Sequence, residues 1–145
     1  MLLTLETPYG FRMEAPDEKF NKGEVYNLCI HRGTLTEEER FKINDHIVQT
    51  IVILENLSFP KQLERVPEIA GGHHEMMEGN GYPQKLDGSQ MSIPARIMAI
   101  ADVFEALTAA DRPYKSPKSL SASIKIMSFM IKDEHLDKEL FKLFL

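Results

Sequence analysis

The stretch from residue 92 to residue 104 reads SIPARIMAIADVF, and Asp102 stands alone among the apolar residues of its second half. Ser92 is a favoured N-cap residue and Pro94 suits a first turn, so we expect a helix that continues to about Ala109. A helix with so little polar surface is predicted to be buried on most sides. Asp102 then needs compensation, and either a capping or salt-bridge contact or a bound cation would supply it.

The helices predicted around this one give an all-α fold of about five helices without a sheet core. Thr36 and Glu39 form a capping-box pattern that begins a helix, and Pro60 limits its extent. The other helices are predicted over residues 66–76, near 120–131 and over 137–145. Residues 1–30 lack a helical period, and we interpret them as an irregular arm or a hairpin around Pro8-Tyr9-Gly10.

Composition and charge restrict the partners of this 145-residue chain. Its 17 Lys and Arg residues against 22 Asp and Glu residues give a net charge of −5, which argues against a nucleic-acid polymer or a membrane surface as the partner. An anionic substrate would then be held by a local basic patch or by bound metal. No apolar run reaches the ~20 residues of a membrane span. Because the chain has one cysteine, Cys29, we expect a reducing, cytoplasmic location.

Three histidines are candidate metal ligands. His73 and His74 lie in the predicted helix 66–76, where adjacent side chains diverge by about 100°. Such a pair would serve two neighbouring ions, or one ion and one substrate oxygen, and a structural or exposed pair is the alternative. His46 is predicted to face the buried side of its helix, as a core residue or as a third ligand. Imidazole and carboxylate ligands together suit Zn, Fe or Mn rather than Ca.

A short cationic turn follows the helix that carries Asp102. Its sequence is Asp111-Arg112-Pro113-Tyr114-Lys115. Arg112 can bind two phosphate oxygens at once, and Lys115 supplies a point charge. Tyr82 or Tyr114 could stack on a base. An ordinary turn with solvated charges explains the same residues equally well.

The segment from His73 to Pro83, HHEMMEGNGYP, resembles the signature loop of HD-GYP domains, which are metal-dependent phosphohydrolases of the HD superfamily. The resemblance continues through residues 93–96, 100–108 and 111–114, and upstream through residues 32–36 and the helix of His46. It covers residues 31–145, the C-terminal part of such a domain. Residues 1–30 are then a preceding arm or an insertion.

The resemblance implies a bundle of α-helices of the HD-domain type that holds several divalent metal ions, usually iron or manganese. The activity it implies is hydrolysis of cyclic di-GMP, a bacterial second messenger. By position, it implies metal ligands at His46, His73, His74 and Asp102. It implies contacts with the cyclic dinucleotide from Gly81, Tyr82, Pro83, Arg112 and Lys115.

One departure from the family pattern limits what the chain can do alone. The His-Asp pair that gives the family its name should precede Gly33, and the first histidine here is His31. We therefore expect part of a metal-dependent phosphodiesterase, inactive by itself because metal ligands are missing, with a homodimer or an upstream sensory domain as partners to consider. The alternatives are a non-catalytic nucleotide-binding or protein-interaction module and an HD-type phosphohydrolase of another nucleotide.

Overall fold

The computed structural model describes residues 8–30, 35–110 and 117–145. Within them the helices are α1 (Glu24–Leu28), α2 (Glu37–Glu55), α3 (Val66–Gly71), α4 (Ile93–Thr108), α5 (Leu120–Lys132) and α6 (Lys138–Phe144), with a 3₁₀ turn at Lys61–Leu63. The same residues form no strand, and their isolated β-bridge pairs Glu78 with Asp87. The predicted all-α fold is confirmed. None of the described helices is both long and apolar enough to cross a membrane.

α2 begins where the capping box predicts. The Glu39 N–H donates to the Thr36 hydroxyl at 3.2 Å, and the Glu39 carboxylate accepts from the Thr36 N–H at 2.9 Å. The buried Ile51 of α2 packs against α3, where a Cβ added to Gly71 would lie 2.7 Å from Ile51 Cγ1. The close approach of these two helices therefore depends on glycine at that position.

α4 is the centre of the described core and packs against α3, α5 and α6. The Ser92 hydroxyl accepts from the Ala95 N–H at 3.4 Å, as predicted for an N-cap, and the helix ends just before Ala109. The buried cluster consists of Ala99, Ile100, Met127, Leu136 and Phe141. α4 is thus held in place by the C-terminal helices.

The expectation that α4 is buried on most sides is wrong for the described part of the chain. Ile93 and Ile97 are 56% and 51% exposed, and Met98 is 44% exposed, whereas Ala99 and Ile100 are buried. Ile93 and Ile97 are four positions apart, so they share one face of the helix. No described element covers that face, and α4 therefore presents apolar surface to solvent.

The second predicted helix is shorter than expected. α3 ends at Gly71, more than a turn before the predicted end, and its C-cap is Gly72. A Cβ on Gly72 would lie 2.9 Å from the Cβ of Ala95, so the chain passes directly against α4 at this point. The helix ends at this contact, which leaves His73 and His74 in the following turn.

The arm that precedes α2 is irregular, as predicted, apart from the short helix α1, which was not predicted. The second strand of the expected hairpin would contain Phe11 and Met13, but these residues do not lie in a strand. The first strand of that hairpin falls outside the described residues. The Tyr26 hydroxyl of α1 donates to the Glu38 carboxylate at 3.1 Å. This contact ties α1 to the first turn of α2.

Asp137 caps α6 and also pairs with α4. Its carboxylate accepts from the Glu139 and Leu140 N–H groups at 2.9 and 3.0 Å, and from Arg96 Nη1 at 2.8 Å. Burial acts to raise the pKa of this carboxyl, but the hydrogen bonds from Leu140, Arg96 and Glu139 outweigh burial and lower the pKa. The ion pair therefore joins α4 to the start of α6.

We predict that Asp137→Asn lowers the free energy of unfolding by about 1.5–3 kcal/mol at pH 7, because it removes a charge-assisted hydrogen bond and leaves Arg96 without its partner. Since the pKa of Asp137 is lower in the folded state, its contribution is present above the unfolded value of 3.8 and is lost as the pH falls through the folded value. Urea unfolding at pH 7 and pH 3 measures this difference.

The matched control is Asp133→Asn, at an exposed carboxylate beside the C-terminus of α5. It should change the free energy of unfolding by less than about 0.5 kcal/mol. A loss for Asp137→Asn that is the same at both pH values would contradict the prediction.

Candidate metal centre

Three histidine side chains from two parts of the chain meet at one site. His46 lies on α2, and His73 and His74 lie in the turn after α3. One ligand atom from each ring lies within 4.8 Å of the others, and His46 Nε2 is 3.3 Å from His74 Nε2. Among the described residues, this is the one group of three or more His, Cys, Asp or Glu side chains that are placed to hold a metal ion. We call it the histidine group.

The adjacent histidines do not diverge as expected. Because they lie in a turn and not in a helix, the ring centroids of His73 and His74 are only 4.2 Å apart. Their centroids lie 6.5 Å and 5.1 Å from that of His46. The premise that the two rings must face different sites is therefore wrong, and a single cation can be reached by both.

Backbone carbonyls orient two of these rings. His46 Nδ1 is 2.6 Å from the Ile43 carbonyl oxygen, and His73 Nδ1 is 2.7 Å from the Ala70 carbonyl oxygen. Because a carbonyl oxygen only accepts, each Nδ1 carries the hydrogen and donates it. The neutral ring then has its lone pair on Nε2, the atom that is free to bind a metal.

His46 is exposed, and the expectation that it faces the buried side of α2 is wrong. Its neighbour Ile47 is fully buried instead. Adjacent helical side chains point about 100° apart, so burial of Ile47 turns His46 out of the core. The outward direction is the one that brings His46 to the tandem histidines.

His74 is held in its neutral form by its surroundings. Burial is the main cause that lowers the pKa of His74 to about 4. The neighbouring His73 and His46 also lower this pKa, whereas the charge of Asp102 raises it. At pH 7 the imidazole is therefore uncharged. Since the neutral imidazole is the form that binds a cation, His74 need not lose a proton to take up metal.

Asp102 approaches the histidine group from α4. Its charge favours the protonated form of His74 and raises the pKa of Tyr82, which places it near both side chains. It is half-buried, and it does not belong to the set whose ligand atoms lie within 4.8 Å of one another. Arg96, on the same helix, pairs with Asp137. A ligand role for Asp102 stays a prediction.

The Gly81-Tyr82-Pro83 segment lies directly against the histidine group. The Tyr82 ring stacks on the His74 ring at a centroid distance of 4.8 Å and an interplanar angle of 20°, and the Tyr82 N–H donates to the His74 carbonyl at 3.2 Å. Gly81 must lack a side chain, since a Cβ would lie 2.5 Å from the Met76 nitrogen. Burial raises the pKa of Tyr82, with Asp102 adding to the effect, so the phenol is neutral.

Glu75 is a site residue that our reading of the sequence did not single out. It is 2% exposed, and its carboxylate accepts from the N–H groups of Gln84 and Leu86 at 2.7 and 2.8 Å. Burial raises the pKa of this carboxyl, and the loop N–H groups oppose that effect. The sequence did contain a signal, because the N–H groups of a glycine-rich loop lack partners in a strand or helix and need an acceptor nearby.

Arg112 and Lys115, the two predicted phosphate contacts, lie outside the described residues, as do Asp111 and Tyr114. Their role therefore stays a prediction. The described part of the site consists of the histidine group, the loop beside it and the nearby carboxylate of Asp102.

Comparisons with known proteins point to one family. A family model described as HD domain matches residues 1–140. A 3'3'-cGAMP-specific phosphodiesterase of Vibrio cholerae is 39% identical over 141 residues, which are 91% of this chain and 32% of that protein. A cyclic di-GMP phosphodiesterase response regulator of Xanthomonas campestris is 48% identical over 98 residues, 68% of this chain and 25% of that protein. The chain thus spans about a third or less of these relatives.

We predict that Glu75→Ala lowers the free energy of unfolding by about 2–4 kcal/mol, because it leaves two loop N–H groups without their acceptor. Urea or thermal unfolding measures the loss. Glu78→Ala, which removes a partly exposed carboxylate from the same loop, 3.7 Å from His135 Nε2, is the control and should cost less than about 1 kcal/mol. Equal losses for the two variants would show that Glu75 does not organise the loop.

We predict that Asp102→Asn moves the pKa of His74 below its value of about 4, because the Asp102 charge favours the imidazolium. His73→Gln should raise that pKa, because the neighbouring His73 disfavours a positive charge on His74. Titration of the histidine Cε1–H signals by NMR in the metal-free protein measures both changes. An unaltered His74 pKa in Asp102→Asn would contradict the proximity of the two side chains.

Proposed function

The chain belongs to the HD domain family, and on that premise we propose that it supplies the histidine-rich half of a metal-dependent phosphodiesterase site for cyclic dinucleotides. The observation that carries this proposal is the histidine group, whose ligand atoms lie within 4.8 Å of one another against the Tyr82 ring. A metal-binding group beside an aromatic ring and a glycine-rich loop suits a substrate that combines phosphates with bases.

The histidine group fits a divalent cation, which we propose to be iron or manganese. The donors would be Nε2 of His46, Nε2 of His73 and a ring nitrogen of His74, with Asp102 as a further ligand. Two of the rings are already oriented by bonds to backbone carbonyls, and the third is neutral at pH 7. When bound, such a cation polarises a phosphoryl oxygen and lowers the pKa of water.

The side chains around the histidine group would bind and orient the substrate. One face of the Tyr82 ring lies on His74, and the loop formed with Gly81 and Pro83 would present the tyrosine to a base. Arg112 and Lys115 would hold the phosphates, since a guanidinium binds two oxygens at once and an ammonium supplies a point charge. Local cations matter here because a net charge of −5 repels an anionic ligand.

Cyclic di-GMP is the proposed substrate, and 3'3'-cGAMP is the second candidate. Relatives named for each compound resemble this chain, and one named for 3'3'-cGAMP aligns with 91% of it. Both compounds are cyclic dinucleotides with two phosphodiester links, so one metal-binding group could serve either. They differ in one base, and contacts from Tyr82 and its loop would therefore decide between them.

The proposed site is not complete within this sequence. The His-Asp pair of the HD-GYP pattern has no counterpart before His31, so further metal ligands must be supplied. The exposed apolar face of α4, which includes Ile93 and Ile97, offers a surface on which a second copy or an adjoining domain would pack. We expect the reaction in the cytoplasm, in keeping with the single cysteine, Cys29.

We predict that the metal-free chain binds Mn²⁺ or Fe²⁺ and that His74→Ala weakens the binding at least about tenfold, because it removes one of three imidazole donors. Anaerobic calorimetric titration measures the affinity. His135→Ala removes a histidine outside the histidine group and is the matched control, which should keep the affinity of the unaltered chain. Equal affinities for the chain and His74→Ala would contradict the assignment of this site.

The same metal-loaded chain tests the reaction. Cyclic di-GMP and 3'3'-cGAMP are each incubated with it, and linear products are separated by chromatography. We expect the metal-loaded chain to bind the dinucleotide, and we expect Tyr82→Ala to weaken this binding. We expect no turnover, because the set of metal ligands is incomplete. Turnover at about 1 s⁻¹ or more would refute the incompleteness. Failure of the metal-loaded chain to bind either dinucleotide would contradict the proposed function.

A further inference from the structure

The irregular arm reaches the Gly81-Tyr82-Pro83 loop and forms two hydrogen bonds with it. The Arg12 N–H donates to the Pro83 carbonyl at 2.7 Å, and Gln84 Nε2 donates to the Tyr9 carbonyl at 2.6 Å. Tyr9 and Gln84 are 75 positions apart in the sequence, so the contact belongs to the tertiary structure. We call residues 9–12 the loop strap.

Gln84 connects the loop strap to the buried carboxylate of Glu75. Its backbone N–H donates to Glu75 at 2.7 Å, while its side-chain amide donates to Tyr9. Pro83, the preceding residue, is fully buried, and its carbonyl accepts from Arg12. The loop is therefore fixed by Glu75 and by the strap through two adjacent residues.

Pro83 and Gln84 directly follow Tyr82, the loop residue that contacts the histidine group. Tyr82 immediately precedes Pro83, and its ring stacks on His74 at a centroid distance of 4.8 Å. The backbone of Tyr82 is fixed by its own N–H bond to the His74 carbonyl and by the buried Pro83 after it. A displacement of Pro83 would therefore change how the tyrosine ring lies on His74.

We propose that the loop strap is a positioning element that sets Tyr82 against His74 through its hydrogen bonds to Pro83 and Gln84. The importance of the strap for substrate binding rests on the proposed function, in which Tyr82 contacts a base of the dinucleotide. The arm thus belongs to the architecture of the site, although it contributes no side chain to the histidine group.

The position of Tyr82 is read from the ring-current shift of the His74 Cε1–H signal in the metal-free full chain, with Tyr82→Leu as the reference that lacks the ring. Gln84→Met removes the donor to Tyr9 and keeps the backbone N–H that Glu75 accepts. Arg12→Pro removes the N–H donor to Pro83. Arg12→Ala keeps that N–H and is the matched control.

We expect Gln84→Met and Arg12→Pro each to move the His74 signal toward its position in Tyr82→Leu. In the combined variant, the shift should exceed half of the difference between the unaltered chain and Tyr82→Leu. Arg12→Ala should leave the signal close to that of the unaltered chain. Spectra are recorded well below the melting temperature of each variant, so that a loss of stability alone does not move the signal. If Arg12→Pro does not fold, Gln84→Met alone decides.

A folded combined variant whose His74 signal stays in place would overturn the proposal, and so would an equally large shift in Arg12→Ala. The measurement needs neither metal nor dinucleotide. Failure of the chain to bind metal would refute the proposed function and leave the strap intact. An unmoved His74 signal would refute the strap and leave the proposed function standing.

Discussion

A buried carboxylate surrounded by loop N–H groups is the interaction on which the site depends. Glu75 is 2% exposed, and a charge is tolerated there only because hydrogen-bond donors compensate for the water it has lost. The loop supplies those donors from Gln84 and Leu86, and the carboxylate in turn fixes the path of the loop. Because Glu75 directly follows His74, the same few residues determine where the histidine ring lies and where the loop that carries Tyr82 lies.

Local sequence signals were sufficient for the beginnings of the long helices. The capping box at Thr36 and the N-cap at Ser92 predicted where α2 and α4 start, because a helix start depends on hydrogen bonds within its first turn. Asp137 is the N-cap of α6, close to the predicted start. The all-α fold follows from signals of this kind, together with the spacing of apolar residues.

What local signals could not predict depends on contacts between distant residues. α3 ends early where Gly72 meets Ala95 of α4, a contact that no local pattern records. The sequence did not predict the exposed face of α4. Apolar composition indicates that a helix surface should be buried, but it does not show which element would pack against that surface. The meeting of His46 with the tandem histidines was implied by the family resemblance alone, since its spacing along α2 suggested a core position.

The 3.3 Å between the Nε2 atoms of His46 and His74 has a practical consequence for anyone who prepares the protein. If the histidine group binds metal as proposed, its affinities should follow the Irving–Williams order, in which nickel and copper bind more tightly than manganese or iron. A sample eluted from a nickel resin would then carry the ion of the column. Elemental analysis of that sample would describe its purification history, whereas stripping with a chelator and reloading with manganese or iron without oxygen would show which of these ions the histidine group binds.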